Sequence, residues 1–324
     1  VVTVGFVNIN NEKDCSVESL LSFEKLFNIK ELPSPYNNTD LVVFHEVYVL
    51  EYLKIADNLY KNKIPYIIVP HGELTKEAQK KKWLKKNVAN FFLFNKFVNR
   101  AKAIQCLSQR ELETTKFGKK KFVGTNGIDM PKNRKTNFNE HKIIFNYIGR
   151  LDTFHKGIDL MIEAIALKKD FLLENHCCFN LYGPDCFGRG DEIRKMISEN
   201  DVNNIVQLCS EVSGIEKENI LLSTDVFIQT SRFEGMPMGI LEALSYGLPV
   251  LITEGTTLGH YVKDYNAGWV AEASVESIAK LFGKIVEERA CFKEKSLQAI
   301  NLIEENFEWK KVAIETIQKY KEII

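Results

Sequence analysis

Two glutamates, Glu234 and Glu242, stand eight positions apart in the run SRFEGMPMGILEALSYGLPV (Ser231–Val250). A carboxylate accepts hydrogen bonds from hydroxyl groups, so two on one short stretch can grip a polar ligand at two points. The preceding DVFIQT reads as a strand, SRFEGMPMG as a glycine-bearing turn, and ILEALSYG as a helix ending at Gly247. Strand, turn and helix start is a geometry that offers free backbone N–H groups to a phosphate. Glu242 lies about two turns into the helix, roughly 12 Å beyond Glu234. That spacing is comparable to the distance between the ends of a nucleotide-sugar folded over its diphosphate. One carboxylate would hold sugar hydroxyls and the other ribose hydroxyls. The competing reading makes Glu234 a helix-entry acid favoured by the macrodipole and Glu242 an ordinary surface residue. Ile240, Leu241, Ala243 and Leu244 bracket Glu242, however, and a carboxylate buried among them needs partners.

The elements that must hold these groups form two series. Short apolar runs begin at Val1, Leu41, Pro65, Ala103 and Lys121. After the polar stretch Pro131–Lys142 they resume at Ile143, Cys178, Ile205, Val226 and Pro249. Amphipathic segments separate them. Continuous apolar strands alternating with helices predict parallel sheets covered on both faces, hence an α/β fold of two Rossmann-like domains. The expected domains are residues 1–138 and 139–305, with a C-terminal helix at about 306–324 that packs back onto the first. In such sheets ligands bind at the carboxyl ends of the strands, where His45, His71, Gly149-Arg150 and Glu234 all fall.

Bulk properties fit this reading. The chain has 324 residues, enough for two ordinary domains, with 43 basic and 43 acidic residues, so global charge points to no nucleic-acid partner. The 7 cysteines show neither CxxC nor zinc-finger spacing, which suggests reduced thiols in a cytoplasmic protein. No apolar run has transmembrane length and no signal peptide is evident.

EGMPMGILE resembles the E-x7-E motif of the family 4 retaining glycosyltransferases, which have the GT-B architecture. FNYIGRLDTFHKGIDLMIEAI (Phe145–Ile165), LYGPDCFG, ALSYGLPVLITEGT, VGTNGID and IPYIIVPHGEL also resemble family segments, the last one in polysaccharide-assembling members. The resemblance implies two Rossmann-like domains facing a central cleft, an N-terminal one for the acceptor and a C-terminal one for the nucleotide-sugar donor. It implies that Arg150 and Lys156 bind the donor diphosphate, where cations offset charge on the leaving phosphate. It assigns Glu234 to the transferred sugar, Glu242 to the ribose, and the amides of Gly235, Met238 and Gly239 to phosphate. Pro237 has no N–H and only pre-sets the turn. His71 matches a family position near the reacting sugar, and His45, ending a neighbouring strand, reaches the acceptor side. The catalytic set is then His71, Glu234, Arg150 and Lys156.

No Asp-x-Asp pair occurs in the chain. The expectation is therefore metal-independent transfer with no cofactor, the donor being a UDP- or GDP-linked sugar and the acceptor a glycan, a lipid-linked sugar or a glycoconjugate. Three features depart from the family pattern: VNINNEKDC replaces a glycine-pair loop after the first strand, Ser210 stands where a glycine is usual, and His260 follows Gly259 where a glutamate is common. The segment Lys76–Lys102 carries nine Lys/Arg and one Glu, with Leu84, Val88, Phe91, Phe94 and Val98 at helical spacing and further aromatics at Trp83, Phe92 and Phe97. A basic amphipathic helix of this kind suits an anionic membrane surface, or else packs its stripe on the sheet. Competing functions are a GT-B sugar-nucleotide epimerase and a non-catalytic glycosyltransferase-like partner subunit.

Overall fold

A computed structural model of the chain describes residues 4–7, 39–80, 90–185 and 188–324. The chain divides into two compact units, Val1–Asn126 with Val312–Ile324, and Gly127–Lys311. Beyond Val7, the loop VNINNEKDC lies outside the described residues.

The first unit holds one sheet of five strands, β1 (Val4–Val7), β2 (Leu41–His45), β3 (Tyr66–Val69), β4 (Ala103–Cys106) and β5 (Lys121–Val123), in that spatial order. Strands β2 to β5 run parallel, and β2 to β4 are largely buried, as strands covered on both faces must be. β1 departs from the expected all-parallel sheet. It pairs antiparallel with β2, Val4 opposite Phe44 and Val7 opposite Leu41. An apolar run carries no sign of its direction, and an edge strand answers to a single neighbour. The helix Leu50–Lys61 buries Tyr52, Ile55, Ala56 and Leu59, one helical stripe. Phe44 sits at the centre, its ring 4.7 Å from Tyr52, 5.4 Å from Tyr66 and 5.3 Å from Phe97.

Of the basic segment Lys76–Lys102, residues 81–89 lie outside the described residues, and Trp83, Leu84 and Val88 with them. The rest forms the helix Lys76–Lys80, a π-helical turn Asn90–Phe94 and the helix Asn95–Arg100. Phe94, Phe97 and Val98 are core residues, so this part of the stripe faces the sheet, while Leu93 is exposed. The last helix, Trp309–Ile323, reaches the same unit. Tyr320 donates its hydroxyl to Gln105 Oε1 (2.5 Å), Gln105 Nε2 donates to the Gly124 carbonyl (2.9 Å), and Lys319 Nζ donates to the Val123 carbonyl (2.5 Å).

The second unit holds a six-stranded parallel sheet, β6 (Ile143–Ile148), β7 (Cys177–Tyr182), β8 (Val206–Cys209), β9 (Val226–Gln229), β10 (Val250–Thr253) and β11 (Gly268–Ala271). Its order is β11-β10-β9-β6-β7-β8. The chain winds outward from β6 in one direction, then returns to place β9 on its other side. The switch point lies between β6 and β9, where open α/β sheets bind ligands. Phe145 and Phe179 stack at 4.5 Å with Phe282 edge-on, filling the core under this point. β11 is a strand that the sequence pattern did not reveal: GWVA has four residues and opens on glycine.

The polar stretch Pro131–Lys142 belongs to the second unit rather than lying between the two. Lys135 Nζ pairs with Asp225 Oδ1 at 3.1 Å, and Asp225 Oδ2 accepts from the Ile144 amide at 3.0 Å. The two side chains are 8% and 2% exposed, so the segment is stapled to the sheet by a buried charge pair. Among the described residues no helix is long and apolar enough to cross a membrane.

Candidate active site

The chain leaves β9 at Gln229 and turns through Thr230, Ser231, Arg232 and Phe233 to Glu234. Three donors converge on Glu234 Oε1: Lys156 Nζ at 2.6 Å, the Ser231 hydroxyl at 2.7 Å and Gln229 Nε2 at 3.0 Å. Oε2 has no hydrogen-bond partner among the described residues. The side chains of Lys156 and Glu234 are 13% and 9% exposed, so the charge pair is largely desolvated and strongly oriented. The carboxylate thus has one oxygen saturated by the protein and one left to accept from a ligand hydroxyl.

Backbone packing sets this geometry. Gly157 has φ 66°, and a Cβ there would lie 2.0 Å from the Thr230 carbonyl oxygen, so only glycine lets the Lys156 turn approach the end of β9. The Glu234 amide donates to the Gly255 carbonyl at 2.8 Å, and the Thr253 hydroxyl to the Ser231 carbonyl at 2.5 Å. Arg232 grips Asp159 at 2.7 and 2.8 Å, which ties the β9 turn to the helix Ile158–Leu167. His155 Nε2 lies 2.8 Å from the Phe233 carbonyl, which can only accept, so Nε2 carries the proton. Burial lowers the His155 pKa against the opposing pull of Glu234, and the ring stacks on Phe233 at 4.2 Å. His155 is therefore a brace for the turn.

Arg150 follows β6, exposed, with no acidic partner among the described residues. Its carbonyl accepts from the Tyr147 hydroxyl at 2.7 Å. Arg150 and Lys156 therefore differ: one guanidinium is open to an anion, and one ammonium is already engaged. Glu242, in the helix Met238–Ser245, pairs through Oε2 with Lys217 Nζ at 2.6 Å. The expected amide donors also differ. Pro237, at φ −83° and ψ 85°, forms an inverse γ-turn, and the Met238 amide folds back onto the Met236 carbonyl at 3.1 Å. The amides of Gly235 and Gly239 have no partner among the described residues. Met238 is thereby a weaker candidate donor than the two glycines.

In the first unit, His45 ends β2 and His71 follows β3, with His45 Nδ1 2.9 Å from His71 Nε2. One of the two nitrogens must carry the proton. Burial, reinforced by His71, lowers the His45 pKa to about 4, and burial also lowers that of His71, opposed by Glu46. Both rings are neutral near pH 7. His71 has φ 48°, a left-handed backbone rare outside glycine, and Gly72 follows at φ 82°. The carboxylate of Glu111, 2% exposed, holds this turn: Oε1 accepts from the Gly72 amide at 2.5 Å and Oε2 from the Leu107 amide at 2.7 Å. Burial raises the Glu111 pKa, and those two amides oppose the rise.

Residues 130–302, more than half of the chain, match the family model of the glycosyl transferases group 1. The chain belongs to this family. It is 29% identical over 269 residues to an uncharacterised glycosyltransferase of Methanocaldococcus jannaschii, covering 82% of this chain and 63% of that protein. It is 25% identical over 148 residues to the amylovoran biosynthesis glycosyltransferase AmsK of Erwinia amylovora, covering 43% and 35%. The chain thus spans less than two thirds of the length of either relative. The fold is similar to that of Anabaena HepE, solved with UDP and glucose, at a TM-score of 0.67 and 17% identity, covering 88% of this chain and 78% of that one. The architecture is GT-B.

Several residues of this group 1 glycosyltransferase site escape sequence reasoning. Gln229 and Ser231 read as the end of a strand and the start of a turn, yet they complete the cage around Glu234. Lys217 is the one lysine of the helix Gly214–Ser223, and nothing in its spacing points to Glu242. Glu111 had a signal: Ser108-x-x-Glu111 is a capping box, and Ser108 Oγ does accept from the Glu111 amide at 3.2 Å. The carboxylate passes over the Ser108 amide that the motif predicts and takes the Leu107 and Gly72 amides instead.

Proposed function

We propose that the chain is a retaining, metal-independent glycosyltransferase that moves a hexose or N-acetylhexosamine from a UDP- or GDP-linked sugar. The acceptor is a glycan, a lipid-linked sugar or a glycoconjugate of bacterial surface polysaccharide synthesis. The observation that carries this reading is the one-sided saturation of Glu234 at the β6/β9 switch point. Its open oxygen accepts from hydroxyls of the transferred sugar. Nearby, the exposed Arg150 and the unused amides of Gly235 and Gly239 suit a diphosphate, and Glu242 suits the ribose.

In this reading the sugar–phosphate bond breaks with its electron pair leaving to the diphosphate. Arg150, Lys156 and the glycine amides offset the charge that builds there. The acceptor hydroxyl attacks on the face that the phosphate leaves, and its proton passes to the departing phosphate oxygen. His45 and His71 are assigned to the acceptor side, where neutral imidazoles accept and donate hydrogen bonds. The absence of Asp-x-Asp from the sequence supports charge stabilisation by side chains and amides. The polysaccharide role is supported by the likeness to the amylovoran enzyme. We place the protein in the cytoplasm, at the inner face of the membrane, with contact to anionic lipid through the basic segment Lys76–Lys102.

A hydrolysis and thermal-shift panel across nucleotide-sugars, with and without a chelator, tests the reading. One donor class stabilises the protein and turns over in chelator. A strict metal requirement sinks the metal-free mechanism. Donor-dependent epimerisation without an acceptor replaces the transferase reading, and no response to any donor favours the partner subunit. Flotation with anionic vesicles at low and high salt tests the lipid contact.

A further inference from the structure

We infer that Lys217 is a positioning residue for nucleotide binding, one that holds the Glu242 carboxylate with one oxygen presented to a ribose diol. The inference rests on the reading of Glu242 as the ribose contact. Lys217 stands in the helix Gly214–Ser223 that follows β8, and Glu242 in the helix that follows β9. Their side chains meet at 2.6 Å while keeping 29% and 27% exposure, so the pair is formed yet open to a ligand. The ammonium takes one lone-pair direction on Oε2 and leaves Oε1 free. At Glu234 the protein likewise engages a single oxygen, there with three donors. Both carboxylates of the stretch are thus clamped on one side.

The surroundings explain why a clamp is needed. Glu218 and Glu242 both raise the pKa of Tyr246, after the larger effect of burial, so the region around Glu242 already carries negative charge. Glu218 is itself held by Asn133 Nδ2 at 2.9 Å. Among the described residues, Lys217 is the cation paired with Glu242. Without it, the carboxylate would be free to rotate and would lack its counter-charge. A vicinal diol gains most from a carboxylate that is ionised and fixed, because it then loses no acceptor freedom on binding.

The test is calorimetric titration with UDP, GDP and ADP and their 2′-deoxy counterparts. The wild type binds the ribo form of its preferred nucleotide more tightly than the deoxy form. Lys217→Met weakens the ribo form on the order of ten-fold, the scale of one charge-assisted hydrogen bond, and weakens the deoxy form, which keeps only the 3′ hydroxyl, clearly less. Lys217→Arg restores the difference. Equal loss for both forms, as from an ammonium on phosphate or a disturbed helix, overturns the inference, and so does no loss at all. Glu242→Gln separates the two levels. If it erases ribose discrimination while Lys217→Met retains it, the ribose reading of Glu242 stands and the role of Lys217 falls. If the wild type does not discriminate, both fall together.

Discussion

Lys156 Nζ lies 2.6 Å from Glu234 Oε1, and neither side chain is more than 13% exposed. The lysine that sequence resemblance assigns to the diphosphate is thus the counter-ion of the carboxylate assigned to the sugar. One residue can serve both groups, because an ammonium has three donors.

Removing either partner should therefore do more than delete a ligand contact. Lys156→Ala leaves Glu234 buried beside two neutral donors and should cost about 3 kcal/mol of stability, read by urea unfolding. Glu234→Ala should lower turnover on the order of a hundred-fold or more. The double variant should recover part of the stability and none of the activity. A double-mutant cycle without coupling would refute the pairing.

Gly157→Ala places a methyl group 2.0 Å from a carbonyl oxygen in a left-handed backbone. The turn must move, and it carries Lys156. We expect a loss of roughly 1–3 kcal/mol with a fall in turnover, checked by thermal melting beside single-turnover kinetics. A variant with native stability and turnover would show that the turn does not depend on this close approach.

The His45 shift has a definite sign. The unfolded chain takes up a proton near pH 6.5, and the folded one resists until about 4. Stability from this group is therefore complete above the unfolded value and is lost as pH falls from 6.5 toward 4. His71, also lowered, contributes with the same sign. Melting temperatures at about pH 7 and about pH 5 should differ less in His45→Asn than in the wild type.

The Lys135–Asp225 pair predicts a large effect far from the chemistry. Asp225→Ala strands a buried ammonium and the Ile144 amide together, a loss of about 3–5 kcal/mol. The neutral double variant Lys135→Met/Asp225→Asn should recover much of it in urea unfolding. Equal losses in the single and double variants would assign the effect to packing instead.

Much of this was legible in the chain. The observed strands begin within a few residues of the apolar runs, because burial on both faces demands continuous Val, Ile, Leu and Phe. Glu234 and Arg150 stand out because strand ends, glycines and charge coincide in the sequence, whereas Lys156 is singled out by resemblance to a family segment. β11 could not, since four residues opening on glycine carry too little pattern. The direction of β1 could not either, because hydrophobicity is blind to chain polarity.

By itself the sequence determined which residues must be buried, where the strands end, and hence which polar groups stand at the carboxyl edges. The tertiary structure alone decided how those groups are engaged. Strand order brings β9 beside β6 and sets Lys156 on Glu234. Helix packing sets Lys217 on Glu242, and a turn in the first unit is held by Glu111. Hydrogen bonds act over about 3 Å, whereas these partners lie up to 78 residues apart in the chain, so only the folded path measures the distances that count.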